Sequence, residues 1–374
     1  MYLPSFPQIG RDFHASMSSV EMTLSIFLAG MALGQLLHGP LSDRYGRRPL
    51  LQAGTAIFAL AALGCCYAGS IAALMLWRLL MALGGAAGQT VARAIVRDWF
   101  EEREAARYFS LLLAITGAAP ILAPFLGGQI LEYAGWRGIF GLLAGFGALC
   151  CITVTWALPE SLPKERRHTG GTNQAIRLYG RLLANGHFVS SIAALGFAYA
   201  AMFSYITGSS AVFITGLGVS PQNFGLFFGA NALGMIGASQ WNRRLLRSIS
   251  PRRILAVAYG LLVVFAVLLV WVGVRQGIWI FAVVLWVCVS LLGFLLPNLA
   301  ALSLAPLGHA AGSASALLGM AQFGLGSASG LALSVLAGSP AHALSAAVAA
   351  FAAAGFAALC ATPMLQRRAA AISA

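Results

Sequence analysis

Long apolar stretches, separated by short polar joints, recur along almost the whole chain. A hydrocarbon core of roughly 30 Å requires about 20 apolar residues per helical span, and the sequence supplies about eleven such stretches. This pattern predicts an all-α, polytopic membrane protein. The stretches lie near residues 20–40, 50–69, 71–92, 107–131, 138–158, 188–214, 223–242, 253–274, 278–305, 311–337 and 342–364.

Composition excludes the alternative of two or three soluble domains, which the length alone would allow. Hydrophobic residues make up 59% of the chain and charged residues only 9%, and the mean hydropathy is +0.83. Such values are typical of a protein that lies in a bilayer.

The net charge of +13 raises the question of nucleic-acid binding, and the position of the charges decides it. Nineteen of the 23 basic residues fall in joints on one predicted side of the membrane. The positive-inside rule makes that side, and the C-terminus with it, cytoplasmic. The charge therefore indicates membrane topology and no nucleic-acid partner. The five basic segments are 44–48, 93–107, 164–181, 243–253 and 367–368.

The first nineteen residues are unusual for this topology, because a cytoplasmic C-terminus and eleven spans place them outside. Residues 1–9 are apolar but too short to span, and they lack the charged region of a signal peptide. They are typical of the outer end of a helix. We therefore expect the start to lie upstream and the complete protein to have twelve spans; the alternative is an eleven-span protein with a short external tail.

A long polar joint at 159–187 divides the chain into segments 1–158 and 188–374. A faint repeat relates them, because Ala32-Leu33-Gly34 and Ala232-Leu233-Gly234 precede Arg44 and Arg244 at one common offset. Two related helical bundles joined by a cytoplasmic linker are a common transporter plan, with the substrate site between them near the membrane midplane.

The joint at 39–49 has the sequence GPLSDRYGRRP. Glycine permits a tight turn, and an aspartate can pair with a neighbouring arginine. The stretch resembles the signature loop of the major facilitator superfamily, which implies two six-helix bundles. In that family the loop is understood as a gate that stabilises the outward-facing state. The resemblance gives that role to Gly39, Asp43, Arg44, Gly46, Arg47 and Arg48.

Arg78, followed by small residues up to Gly85, resembles the second motif of the family, an intramembrane arginine. An arginine at the centre of a membrane helix costs roughly 2.5 to 3.5 kcal/mol on insertion scales. We therefore expect Arg78 to face protein or a water-filled cavity. Snorkelling to the outer interface is the alternative.

The stretch 117–128, GAAPILAPFLGG, resembles the antiporter motif of the fifth helix, in which prolines bend the helix and glycines allow close packing. Ala123 replaces the usual glycine before the second proline. The motif marks exporters in the superfamily, and it assigns this role to Gly117, Pro120, Pro124, Gly127 and Gly128.

A finer resemblance, to the Bcr/CflA-type drug-resistance transporters, covers nearly the whole chain. It implies a proton antiporter that exports small hydrophobic drugs or metabolites across the bacterial inner membrane by alternating access, as a monomer. The stretches that carry it are Tyr2-Leu3-Pro4 with Pro7, Thr23-Leu24-Ser25, Gly34-Gln35-Leu36, Met202-Phe203-Ser204-Tyr205, Asn223-Phe224-Gly225, and His309 with Ala311–Ser315.

A proton antiporter requires a membrane carboxylate that exchanges protons during the cycle. All ten acidic residues fall at joints or span ends, and none follows Glu165. In the resembling family an acid precedes the Tyr-Leu-Pro segment, which places the expected proton site immediately before Met1. Glu21, at the outer end of its span, is the alternative within this chain.

Cavities for diverse hydrophobic drugs are mostly aromatic, with few directional groups. Candidate substrate contacts on this basis are Phe203, Tyr205, Phe227 and Asn231. The intramembrane amides Gln35, Gln89, Asn298 and Gln322 either line the cavity or form hydrogen bonds between helices.

The sequence offers no pattern of an enzyme. Its six cysteines lie in apolar spans without metal-ligand spacing, and no nucleophile elbow, HExxH or paired catalytic carboxylates occur. We therefore expect no catalytic residue, no cofactor and no metal. An uptake carrier or facilitator for a small metabolite, or an inactive truncated exporter, are the alternatives to a working exporter.

Overall fold

The computed structural model describes the backbone of residues 1–163, 165, 167, 172–273, 277–304, 311–336 and 338–373. Side chains are described except at 97, 102–103, 105–107, 109–121, 172–176, 304, 311–313 and 363–373. The surroundings of Gly117 and Pro120 therefore lie outside the described part of the chain. Lys164, Arg166, Arg275 and His309 lie outside it as well.

Every regular element in the described residues is helical. After a 3-10 turn at Leu3–Ser5, the α-helices are α1 (Phe6–Asp12), α2 (Met17–Tyr45), α3 (Arg47–Cys66), α4 (Ile71–Trp99), α5 (Glu102–Ala157), α6 (Thr172–Ala184), α7 (Gly186–Ser210), α8 (Pro221–Leu245), α9 (Pro251–Val272), α10 (Ile278–Leu304), α11 (Ala311–Val335) and α12 (Pro340–Ser373). A π-helical turn at Ala211–Gly216 follows α7.

The eleven predicted apolar stretches all coincide with long helices, and α5 contains two of them. Within the described residues, nine helical segments are long and apolar enough to cross a membrane. The helix α8 is not among these nine, and α5 contributes one segment, Leu122–Ala157. The prediction of an all-α polytopic membrane protein is confirmed.

The two arms of α5, 102–134 and 136–157, are separated by Gly135, which has φ 63° and ψ −174°. Glycine adopts this left-handed φ without the steric cost that a side chain would bring. The backbone N–H of Trp136 at the break donates to Oε1 of Gln8 at 3.1 Å, and its indole N–H donates to Oδ2 of Asp12 at 2.7 Å. The helix break thus fixes the N-terminal segment against α5.

The N-terminal segment is part of the core. Tyr2, Phe6 and Ile9 are almost fully buried, and Tyr2 packs edge-on against Phe6 and tilted against Phe140. The backbone of this segment is helical from Leu3 to Asp12.

Two groups of helices pack against each other along two contacts. Helices α2, α3, α4 and α5 form one group, and α7 to α12 form the other; α2 packs on α11, and α5 packs on α8. We call the end at which α2 meets α3 the inner end, and the opposite end the outer end. The predicted division at 159–187 stays a prediction.

Most of the predicted linker is helical, which the polar sequence did not indicate. Helix α6 packs on α7, α11 and α2. The hydroxyl of Tyr179 donates to the carbonyl of Leu36 at 3.3 Å. Burial, with a smaller contribution from the Asp43 carboxylate, raises the pKa of Tyr179. Its hydroxyl therefore stays protonated and can hold α6 against α2.

Candidate transport pathway and gates

Arg47 is the centre of an ion-pair network at the inner end. Its Nη1 lies 2.5 Å from Oδ1 of Asp43, and its Nε lies 3.0 Å from Oδ2 of Asp98 at the end of α4. Nη1 also donates to the hydroxyl of Ser42 at 2.6 Å. The Arg47 side chain is 10% exposed, whereas that of Asp43 is 46% exposed. We call residues 42–48 with Asp98 the ion-pair loop.

Glu160 joins the start of the linker to this loop. Its Oε1 accepts from the backbone N–H of Arg47 at 2.9 Å and from that of Leu162 at 3.0 Å. Its Oε2 lies 3.5 Å from Nη2 of Arg167. A carboxylate at the first N–H of α3 is favoured by the partial positive charge of a helix N-terminus.

Gly46 allows this close approach. Its φ is +103°, and a Cβ there would collide with the Glu160 carboxylate and lie 2.8 Å from Nη2 of Arg167. Any other residue would both strain the backbone and displace the carboxylate. A glycine is therefore required for the turn between α2 and α3.

The other predicted gating residues have different surroundings. Arg48 donates from Nη2 to the carbonyl of Thr155 in α5. Arg44 is exposed and lies over the ring of Tyr45, with 5.2 Å from Cζ to the ring centroid. Gly39 has open space where a side chain would be. The structure thus brings Asp43, Gly46 and Arg47 into one network, joins Arg48 separately to α5, and leaves Gly39 and Arg44 outside the network.

Arg78 is 4% exposed and lies in a cage of aromatic rings. Its Cζ is 4.1 Å from the ring centroid of Phe27, 4.6 Å from that of Tyr2 and 5.8 Å from that of Phe140. Desolvated cation–π contacts contribute about 2 kcal/mol or more, which is comparable with the cost of inserting the charge. Arg78 therefore faces protein in this structure, and its Nε has no hydrogen-bond partner among the described residues.

The last glycines of the antiporter motif lie at the outer end, where the two groups of helices meet. A Cβ at Gly128 would lie 2.7 Å from the carbonyl oxygen of Pro221 at the start of α8, and one at Gly225 would lie 2.8 Å from Cα of Phe125. A Cβ at Gly127 would collide with the carbonyl of Met1.

A side-chain hydrogen bond lies at the same outer end: Gln222 donates to Glu132 at 3.2 Å. Pro124 continues the helix between these contacts.

The contact between α2 and α11 also depends on glycine. A side chain at Gly330 would collide with the hydroxyl of Ser25, and a Cβ at Gly319 would lie 3.1 Å from the amide of Gln35. Gln35 donates to Oε1 of Gln89 at 3.0 Å and accepts from the Thr90 hydroxyl at 3.1 Å. These two amides therefore connect α2 with α4. A hydrogen bond between helices was one of the two roles predicted for them.

An apolar cluster lies between the two groups of helices. Phe203 of α7 packs 6.1 Å from the ring of Phe323 in α11 and 6.3 Å from that of Tyr199. Its ring fills the space where Gly326 lacks a side chain. The cluster also contains Leu28, Met31, Ala32, Ala82 and Ala86, with Leu24, Phe27, Met202, Ile206 and Met320 at its edge.

The remaining predicted substrate contacts lie away from this cluster. Tyr205 stacks on Phe228 at 4.9 Å and lines a small internal cavity with Leu262 of α9, Cys288 of α10 and Val348 of α12. Asn231 is 5% exposed and donates to the carbonyl of Phe227 at 2.8 Å. Phe227 itself packs on Phe213 and Trp279. Of the four, only Phe203 lies between the helix groups.

Two features of the pathway were not predicted from the sequence. Asp98 and Glu160 complete the ion-pair loop, although both are distant from it along the chain. Arg93 lies on the face of α4 that carries Ala82, Ala86 and Gln89, and it is exposed. Helical spacing from Ala82 could have indicated this position, since residues three and four apart share a face.

A group of three or more His, Cys, Asp or Glu side chains that could hold a metal ion is absent from the described residues.

The loop sequence suggested a family, and the helix order, the close outer contacts and the ion-pair loop agree with it. A sequence model of that family tests the suggestion directly. The model described as Major Facilitator Superfamily matches residues 1–331. The chain belongs to the major facilitator superfamily. Members of this superfamily are membrane transporters, so the chain is a multi-span transporter of small molecules.

Relatives within the superfamily carry names related to drug resistance. The chain is 30% identical over 331 residues to the "Bicyclomycin resistance protein homolog" of Haemophilus influenzae, covering 88% of this chain and 83% of the relative. It is 28% identical over 322 residues to "Multidrug resistance protein MdtL" of Citrobacter koseri, covering 86% and 81%. It is 37% identical over 330 residues to "Uncharacterized MFS-type transporter YdgK" of Bacillus subtilis, covering 87% and 82%. The predicted resemblance to drug-resistance transporters is confirmed.

Solved structures of the superfamily show the same fold. A D-xylose-proton symporter superposes with a TM-score of 0.73 at 15% identity, covering 96% of this chain and 92% of that one. A bacterial homologue of the lysosomal transporter Spinster, in an inward-facing and unoccupied conformation, superposes with a TM-score of 0.68 at 16% identity, covering 97% and 90%. The predicted major facilitator fold is confirmed.

Proposed function

We propose that this protein exports small hydrophobic drugs or metabolites across the bacterial inner membrane by proton antiport, as a monomer with a cytoplasmic C-terminus. The observation that carries the proposal is the similarity along most of the chain to relatives named for bicyclomycin and multidrug resistance. The antiporter motif at Gly117, Pro120, Pro124, Gly127 and Gly128 supports the direction of transport.

The apolar cluster between the helix groups fits a substrate of this class. Aromatic and methionine side chains offer dispersion contacts and adapt to different shapes. Phe203, Phe323, Met31 and Met320 supply such contacts in one place. The exposed Arg93 and the bonded pair Gln35–Gln89 add polar groups towards the inner end.

Alternating access requires contacts between the helix groups that can form and break. At the outer end, Gly128 and Gly225 bring backbone against backbone, so no side chain has to be displaced when the contact opens. At the inner end, the ion-pair loop of Asp43, Arg47 and Asp98 joins α2, α3 and α4 within the first group, and the resemblance gives this loop the role of stabilising the outward-facing state. A rocking motion of the two groups would open the outer contact.

Proton coupling requires an acidic group that is accessible from both sides in turn. Glu21, in the outer part of α2, is 6% exposed, and its side chain makes no hydrogen bond or ion pair with another described residue. We propose Glu21 as the coupling group within this chain.

The test is drug susceptibility in a bacterial strain that lacks its main efflux pumps. Expression of the protein is expected to raise the minimum inhibitory concentration of hydrophobic antibiotics and to lower the accumulation of ethidium, a fluorescent dye. A protonophore should abolish both effects. Unchanged resistance to every compound in a broad panel, with the protein present in the membrane, would refute export.

Two phenylalanines of α7 allow a matched control. Phe203→Ala is expected to change the resistance profile, because its ring lies between the helix groups. Phe197→Ala should leave the profile unchanged, because Phe197 stacks on Phe351 of α12 at 6.4 Å. Equal effects of both substitutions would remove the assignment of the cluster to substrate binding.

A further inference from the structure

Five arginines surround the turn between α8 and α9 at the inner end. Arg243, Arg244 and Arg247 lie at the end of α8 and in the turn, and Arg252 and Arg253 lie in the first turn of α9. All five are exposed. We call these five residues the arginine turn.

The arginine turn has no acidic neighbours in its own half of the chain. All ten acidic residues of the protein occur at or before Glu165. Within the described residues, the side chains of Arg243, Arg244 and Arg247 make no hydrogen bond or ion pair. Their positive charge is therefore available to a partner outside the chain.

Exposed apolar side chains flank the same turn. Trp241 and Val257 are each 62% exposed, and Leu246 and Ile249 are 40% and 37% exposed. Tryptophan is enriched at the level of the lipid headgroups, where its ring is apolar and its N–H is polar. The arginines and the apolar residues together thus occupy the boundary between hydrocarbon and water.

A hydrogen bond between two neutral side chains lies beside this turn. Asn298 of α10 donates to Oδ1 of Asn242 at 2.8 Å, and both are buried. This bond fixes the end of α8 without using any guanidinium group. The position of this helix end therefore does not depend on side-chain bonds of Arg243, Arg244 or Arg247.

We propose that the arginine turn binds the headgroup of an anionic phospholipid from the surrounding leaflet. The guanidinium groups of Arg243, Arg244 and Arg247 pair with the headgroup phosphate, a geometry that arginine favours through two parallel N–H donors. The acyl chains pack on Trp241 and Val257. A soluble phosphate would engage the arginines alone, whereas the exposed tryptophan and valine favour a lipid.

The test is lipid titration of the purified full-length protein in a neutral detergent. Dioleoyl phosphatidylglycerol should raise the thermal unfolding temperature with a saturable dependence, because a ligand that binds the folded state stabilises it. Dioleoyl phosphatidylcholine, which has no net charge, should produce little change. Inorganic phosphate at the same concentration should not replace the lipid.

Charge-matched variants decide whether the site is specific. R243Q/R244Q should weaken the apparent affinity for phosphatidylglycerol by about tenfold or more, since each arginine near an anionic lipid surface adds to the free energy of binding. R177Q/R181Q removes the same charge from exposed positions of α6 and should retain the affinity. R243K/R244K keeps the charge, so partial affinity is expected and shows that the turn still folds.

An equal loss of affinity in R243Q/R244Q and R177Q/R181Q would overturn the proposal, because it would show that the affinity depends only on the net charge of the protein. An affinity of R243Q/R244Q equal to that of the unmodified protein would also overturn it. The assay measures binding without transport, so its outcome is independent of the export function.

Discussion

The turns at the inner ends of α2 and α8 occupy related positions and have opposite electrostatics. In the first turn, Arg47 is bonded to Asp43, Ser42 and Asp98, and Glu160 caps the helix that follows. In the second, five arginines are exposed and the local hydrogen bond joins two neutral amides, Asn242 and Asn298.

The offset that relates Arg44 to Arg244 also relates Ser42 to Asn242 and Asp98 to Asn298. The inner ends of α2 and α4 in the first half thus correspond to those of α8 and α10 in the second. The contact is charged in the first half and neutral in the second. A charged contact responds to its surroundings and can act as a latch. A neutral amide contact holds the structure together and leaves the side chains of Arg243, Arg244 and Arg247 available to interact with the membrane.

The largest expected difference between the two turns is in the backbone. Gly46→Ala places a side chain at φ +103° against Glu160 and should reduce the free energy of unfolding by about 2 to 3 kcal/mol. The corresponding Leu246→Ala, at φ −61°, should have little effect because Leu246 is 40% exposed. Thermal unfolding in detergent, followed by tryptophan fluorescence, measures both. Similar shifts for the two variants would contradict the comparison.

The next effect concerns the paired arginine. Arg47→Gln should cost about 1 to 2 kcal/mol of stability, because it leaves Asp98 and Asp43 without their cation. This range is below that of a fully buried pair, since Asp43 is partly exposed to solvent. Arg247→Gln should cause no measurable change. A destabilisation by Arg247→Gln as large as that by Arg47→Gln would show that the second turn is also held by its arginines.

The neutral contact is expected to contribute less. Asn298→Ala removes the donor to Asn242 and should cost about 1 kcal/mol, the usual value for one hydrogen bond with a buried partner left unpaired. Chemical denaturation is a suitable measurement, with Asn223→Ala in the exposed start of α8 as the control. If Asn298→Ala is neutral, the amide pair does not fix the helix end.

The smallest effect is the dependence on salt. Raising sodium chloride from about 0.1 M to 1 M shortens the screening length from about 10 Å to about 3 Å. The stability difference between the unmodified protein and Arg47→Gln should therefore decrease, by roughly 0.5 kcal/mol for a partly exposed pair. The cost of Asn298→Ala should not depend on salt. If the loss of stability caused by Arg47→Gln does not depend on salt, packing of the side chain and not its charge stabilises the first turn.

The positions of the spans could be predicted from the sequence, because about 20 apolar residues in a row leave few alternatives to a membrane helix. The helix α6 could not, since it lies in a polar joint and its contact with Leu36 depends on the neighbouring bundle. The break at Gly135 was anticipated as a joint between two spans, but its contacts with Gln8 and Asp12 come from residues far away along the chain.

The site was less predictable than the fold, for a physical reason. A helix inside a membrane bundle is apolar on all sides, so its sequence does not reveal which face meets the other half. Phe203 and Tyr205 are two residues apart and equally aromatic, yet one lies between the helix groups and the other inside the second bundle. The ion-pair loop was partly predictable because charged residues are rare in the chain, whereas its partners Asp98 and Glu160 required the fold.

Transport by purified protein is the most direct test of the central claim, that this transporter exchanges protons for a hydrophobic substrate. The protein would be reconstituted into liposomes, and the compound to which it confers the greatest resistance would be supplied in labelled form. An imposed pH gradient should drive accumulation of this compound against its own gradient, with counterflow of protons detected by an internal pH dye. Movement of the compound only down its own gradient, unchanged when the pH gradient is removed, would contradict proton antiport.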